Sequence, residues 1–167
     1  LFQEAINKFI EKNGSPPERI IVYRDAVSEG QSQVTLQTEI PQLEKAIQNL
    51  KDIGKIETVP SILFLLANKR IEQRFFTVNR GIPKNPTRGL VIESEVVRPD
   101  RFEFFMISHD GPTGLQCPVR YEVIKNTFTD LEPKALYDLT NMLCYGFFNL
   151  QGAVRIPAPI MYAHTLC

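Results

Sequence analysis

The chain has 167 residues, 43% of them apolar, which is enough for one sizeable core and matches a single domain or a large piece of one. Nineteen basic residues balance nineteen acidic ones, so net charge gives no sign of a polyanion partner and any nucleic-acid function must come from local clustering. The three cysteines, Cys117, Cys144 and Cys167, are widely spaced and form no C-x-x-C pair, which argues against a disulfide framework and against a zinc site.

No apolar run approaches the length of a membrane span, there is no signal-like opening, and the N-x-[ST] triplet Asn85-Pro86-Thr87 is disqualified by its proline. The expectation is an intracellular protein, cytoplasmic, nuclear or both, with no membrane partner.

Along the chain, residues 1–12 put Leu1, Phe2, Ala5, Ile6, Phe9 and Ile10 on one helical face, and Gly14 with Ser15-Pro16-Pro17 ends that helix. The run 19–24 predicts an interior strand, buried on both faces, that leads straight to Asp25. From 30 to 52 the spacing is helical through Ile40, Leu43, Ile47 and Leu50, with Pro41 either kinking the helix or starting a second one. Residues 61–67 form another apolar run, and helix, strand, helix, strand in that order implies a crossover and some parallel pairing. Shorter strands over 74–78, 89–97, 102–108 and 119–125 predict an antiparallel extension of the sheet. Helical spacing returns over 132–148, with Asp130 as the N-cap, and Ile156-Pro157-Ala158-Pro159 leads into a last segment carrying His164. The chain opens in a helix without Met and stops three residues after His164, which reads as an excised fragment.

Four groups of residues could carry chemistry. Asp25 closes a strand, where open α/β sheets place their sites, and a carboxylate there suits a divalent metal or simply caps a turn. His164 reads as a metal ligand, a proton carrier or a hydrogen-bonded histidine at the core edge. Between positions 69 and 88, Lys69, Arg70, Arg74, Arg80, Lys84 and Arg88 face a single acid, Glu72. That cluster reads either as a solvated face or as a track for a phosphate backbone, and Arg74-Phe75-Phe76 interleaves base with aromatic as single-strand binders do. Ser108-His109-Asp110 invites a triad reading that fails, because triads are assembled from distant segments.

Whole motifs carry further than single residues. Tyr23-Arg24-Asp25-Ala26-Val27-Ser28-Glu29-Gly30-Gln31 resembles the Y-R-D-G-V-S-E-G-Q signature of the Argonaute and Piwi family, and Ile156-Pro157-Ala158-Pro159 with Tyr162-Ala163-His164 resembles that family's closing I/V-P-A-P-x-x-Y-A-H. Between them, Asn68-Lys69-Arg70 with Arg74-Phe75-Phe76 is similar to K-R-x-x-x-R-F/L-F, and Phe105-Met106-Ile107-Ser108-His109 to F-Y/F-L-x-S-H. Phe148-Asn149, Gly152 and Arg155-Ile156-Pro157, together with the Glu39-Ile40-Pro41-Gln42 step, are closer to the Piwi clade.

The resemblance covers nearly the whole chain and implies an α/β, ribonuclease H-like mixed sheet flanked by helices, with residues 1–167 as the C-terminal portion of a single, incomplete PIWI domain. Slicing members of the family use an Asp-Glu-Asp-His set and two magnesium ions, or manganese in their place. Two metals about 4 Å apart activate a water and steady the leaving oxygen of a phosphodiester, which is why hard ligands must converge from several strands. Asp25 matches the second aspartate of that set and His164 its histidine, as catalytic and metal-binding residues.

The resemblance puts the other two acids upstream of Leu1, so the fragment alone is expected to be inactive. Ala26 stands where the pattern has glycine, and alanine would strain a close approach or special turn that glycine allows. Lys69, Arg70 and Arg74, with His109 and Arg155, are implied to face the phosphates and sugars of a small, piRNA-like guide RNA, leaving sequence choice to pairing with a complementary target RNA. The full-length protein is then expected to slice RNA paired to its guide. The alternative is a catalytically silent guide-binding protein that silences by recruiting silencing-complex proteins.

Overall fold

The computed structural model describes residues 1–26, 31–110 and 115–166. Helix α1, Phe2–Asn13, ends at Gly14, whose left-handed φ of 73° lets its N–H turn back to Ile10 O at 2.8 Å. A glycine takes that conformation without a Cβ clash. Strand β1, Arg19–Ala26, follows and pairs in parallel with β2, Ser61–Asn68, in a register that sets Asp25 opposite Ala67.

The crossover between them runs through α2, Gln31–Val34, a π-helical turn, Thr35–Glu39, and α3, Ile40–Asp52. Of the two expectations for Pro41, the structure has the second: the proline stands in the first turn of a new helix, α3. The turn before it widens, with Ile40 N–H donating to Thr35 O, and the proline, which has no N–H, enters the first turn of α3.

Beyond β2 every pairing is antiparallel. Strands β5, Leu90–Ile92, β6, Phe102–Ile107, and β7, Val119–Asn126, complete a sheet of order β1-β2-β7-β6-β5, while β3, Thr77–Asn79, and β4, Ile82–Lys84, form a separate hairpin. The strand expected over 74–78 is thus reduced to a ladder that begins at Thr77. Helix α4, Pro133–Cys144, has Glu132 in the cap position rather than Asp130, which instead pairs with Arg19 at 2.8 Å. Pro133 in the first turn explains the shift, since its fixed φ suits a helix start. Helix α5 is Ala158–Leu166.

The pleat sorts the core into two layers. Leu63, Leu65 and Ala67 of β2 lie with Phe104 and Tyr121 under Leu136 and Tyr137 of α4 and under Ile156 and Ile160. On the other face Ile62 packs with Ile6, Ile47 and Leu50, and Phe64 and Leu66 pack with Ile40.

Residues 62–68 of β2 are all buried, so β2 is the interior strand. The expectation that β1 is buried on both faces is corrected: β1 lies at the sheet edge and is mostly half-buried. Ala26 is buried beside Ile40, Phe64 and Leu66, and the described non-glycine residues at positive φ are Arg80 and Glu95. The alanine at the glycine position therefore carries no left-handed strain. No helix among the described residues is long and apolar enough to cross a membrane.

Candidate functional site

Strand alternation divides the Tyr23-Arg24-Asp25 triplet between two faces. Tyr23 points to the α4 and α5 side, where its hydroxyl lies 2.8 Å from Thr140 Oγ1. Thr140 Oγ donates to Leu136 O, so the phenol is the donor of the pair. Burial pushes the Tyr23 phenol up to about 12.

Arg24 points the other way and grips Glu39, with Nε 3.2 Å from Oε2 and Nη2 2.8 Å from Oε1. Its Nη1 also donates to the Asp25 carbonyl. The forked pair holds the end of β1 against the π-helical turn.

Asp25 returns to the Tyr23 side, at the carboxyl end of β1, and meets residues from two other segments. His164 Nε2, in the last turn of α5, is 2.9 Å from Asp25 Oδ2. Lys69 Nζ, one residue past β2, is 2.9 Å from the same oxygen. The other carboxylate oxygen, Oδ1, is buried and has no hydrogen-bond partner among the described residues.

An orphaned carboxylate oxygen beside an imidazole suits a hard divalent cation, which takes oxygen ligands and tolerates histidine. Among the described residues no group of three or more His, Cys, Asp and Glu gathers into a metal cage. Asp25 and His164 could therefore offer at most two ligands toward such an ion.

The basic candidates divide. Arg155 is turned inward, its Nη2 donating to Lys69 O at 2.6 Å and Pro118 O at 3.0 Å, and its Nε to Cys117 O at 3.1 Å. Burial, then the nearby Arg74 charge, lowers its pKa, with Cys117 opposing.

Arg74 is exposed and folds its Nη1 onto Ile71 O and Gln73 O at 2.8 and 2.7 Å. Arg70 is exposed, and its main-chain N–H donates to Asn68 Oδ1 at 3.0 Å. His109 is half-buried just beyond β6; its Nδ1 has no partner among the described residues, and burial first and the Arg155 charge second lower its pKa, with Asp110 opposing. Lys69, Arg74, His109 and Arg155 are thus neighbours.

Ser108 Oγ donates to Val154 O at 2.9 Å, and Asp110 pairs with Arg88 at 3.2 Å. The adjacent Ser-His-Asp residues point apart, as expected for side chains on successive positions.

Sequence reasoning did not single out Thr140 or Glu39 as the residues that hold Tyr23 and Arg24. No local signal marks Thr140, which lies inside an ordinary helical pattern. The acid at Glu39 stood in view as part of the Glu39-Ile40-Pro41-Gln42 step.

A family profile described as Piwi domain matches residues 1–167. The chain is 38% identical over 164 residues to Piwi-like protein 1 of Danio rerio, covering 98% of this chain and 18% of that protein. It is 35% identical over 162 residues to Piwi-like protein Siwi of Bombyx mori, covering 97% of this chain and 18% of that protein. The chain thus spans about a fifth of the length of the curated relatives it matches.

In three dimensions it superposes on a crystal structure of Drosophila Piwi with a TM-score of 0.86 at 24% identity, covering 98% of this chain and 22% of that one. It superposes on Kluyveromyces polysporus Argonaute with a guide RNA with a TM-score of 0.90 at 24% identity, covering 100% of this chain and 21% of that one. At that identity the likeness is one of fold, and the shared architecture is the ribonuclease H-like mixed sheet flanked by helices.

Proposed function

Because this chain belongs to the Piwi domain family, we propose that it is the C-terminal portion of a PIWI domain in a guide-directed endoribonuclease. The full-length protein holds a small, piRNA-like guide RNA and cuts complementary target RNA, leaving a 5′-phosphate and a 3′-hydroxyl. One observation carries the reading: Asp25 and His164, 139 positions apart, approach to 2.9 Å at the carboxyl end of a sheet strand.

Magnesium, or manganese, would be held by Asp25 and His164 and would activate a water and stabilise the leaving oxygen. The chain's own residues do the rest of the positioning. Arg24, clamped on Glu39, supports the Asp25 main chain, and the Asp25 carboxylate orients the His164 ring through Nε2. Lys69, Arg70 and Arg74 form the basic edge that takes guide phosphates, with His109 and Arg155 behind them.

The parent protein works inside the cell, in cytoplasm, nucleus or both, within a complex of silencing proteins.

The test is cleavage of a labelled complementary RNA by the full-length protein loaded with a 5′-phosphorylated guide. Asp25→Ala is expected to lower the cleavage rate about a hundredfold or more while guide affinity stays within about threefold. Equal cleavage by both proteins would remove Asp25 from the reaction and leave a guide-binding protein.

A further inference from the structure

We propose that Lys69 is an exchangeable counter-ion, whose ammonium passes between the Asp25 carboxylate and a guide-strand phosphate, so that guide binding raises the affinity of Asp25 for a divalent cation. The inference rests on the reading of Asp25 as a metal ligand and extends it by coupling two ligands through one side chain.

Asp25 Oδ2 is shared, with Lys69 Nζ and His164 Nε2 each 2.9 Å away. The Lys69 and Asp25 side chains are only 29% and 25% exposed, so water screens the pair incompletely. A divalent cation sits about 2.0–2.6 Å from a carboxylate oxygen. On either oxygen of Asp25 it would stand within a few ångströms of the ammonium, where like charges in a partly buried site repel strongly. The ion pair and the cation therefore compete for one carboxylate.

The ammonium is built to leave. Lysine carries a compact, strongly hydrated charge on a flexible four-carbon stem. Its main chain, by contrast, is pinned: Arg155 Nη2 donates to Lys69 O at 2.6 Å, and Arg70 N–H donates to Asn68 Oδ1 at 3.0 Å on the way out of β2. A fixed backbone with a swinging charge allows exchange without rearranging the strand. Exposed Arg70 and Arg74 follow immediately and draw a phosphate to the place where Lys69 can reach it. Linkage then requires the cation to raise guide affinity by the same factor that the guide raises cation affinity.

The experiment titrates full-length protein with Mn2+, followed by electron paramagnetic resonance, without and with saturating 5′-phosphorylated guide RNA and no target. In the wild type the guide should tighten Mn2+ binding about tenfold. Lys69→Gln should bind Mn2+ about tenfold more tightly before any guide is added, and the guide should then add less than about threefold. Lys69→Arg, which keeps the charge, should behave as the wild type.

Guide-free Lys69→Gln binding Mn2+ no better than wild type, or an undiminished guide effect in that variant, overturns the exchange. A measurement free of substitutions runs alongside: wild-type guide affinity should rise about tenfold with Mn2+ at constant ionic strength, and no rise also overturns it. Asp25→Ala separates the two layers. Mn2+ binding that survives Asp25→Ala sinks the metal reading and the exchange together, whereas binding lost in Asp25→Ala but unmoved by Lys69→Gln sinks the exchange alone.

Discussion

At His109 two causes push one imidazole the same way, burial first and the Arg155 guanidinium second, and together they outweigh the pull of Asp110. The lowered pKa means that the proton arrives later as pH falls: an ordinary histidine is half charged near 6.5, and His109 reaches that point only below it. At neutral pH the His109 ring is thus held further from its charged form than a free histidine. Diethyl pyrocarbonate acylates the neutral ring, and site-resolved mass spectrometry across pH should show half-maximal reactivity of His109 below 6.5. A midpoint at or above that value would contradict the burial argument. Asp25, Lys69 and His164 stood in view through the motifs that resemble the Argonaute and Piwi family, whereas position alone left a turn cap and a core-edge histidine as open readings. The internal bonding of Arg155 was not, because an arginine that grips RNA and one that grips carbonyls have the same sequence neighbourhood.

Among the elements, the segment that leads into α5 is held by Arg155, whose guanidinium joins it to Lys69 O after β2 and to Cys117 O and Pro118 O before β7. Arg155→Met keeps the stem and removes the donors, leaving three half-buried carbonyls without their partner. The expected loss is about 2–3 kcal/mol, since each unsatisfied buried acceptor is costly. Urea unfolding would register it as a lower midpoint, and a change under about 0.5 kcal/mol would mean that water replaces the guanidinium. The patterns that predict α1 and α3 are strong because each buries one face, and those of β2 and β6 because these strands are apolar runs buried at successive positions. Pro41 was ambiguous for a physical reason: whether a proline kinks a helix depends on the turn before it, and here that turn takes i to i+5 bonding. The N-cap of α4 was open for a similar reason: Asp130 and Glu132 both precede Pro133, the helix begins at the proline, and Asp130 pairs with Arg19 instead.

Across the whole molecule, a sheet with helices on both faces follows from the element order, and the parallel β1–β2 pair with antiparallel neighbours was legible in it. Which strand is interior was not, because 19–24 and 61–67 are both short apolar runs, and burial on two faces depends on the neighbours that tertiary pairing supplies. Leu65, fully buried in the layer beneath α4 and α5, ties that architecture to the site. Leu65→Ala should destabilise the fold by about 2–5 kcal/mol, read as a lower melting temperature, and a cost below about 1 kcal/mol would show that the layer closes over the cavity.

The border position of β1 has a consequence of its own. Among the described residues β1 is hydrogen-bonded to β2 alone, so its outer rim presents donors and acceptors in the register that a further extended peptide needs. A peptide laid there would run about 4.8 Å from β1, and its residue level with Asp25 would bring a side chain alongside that carboxylate.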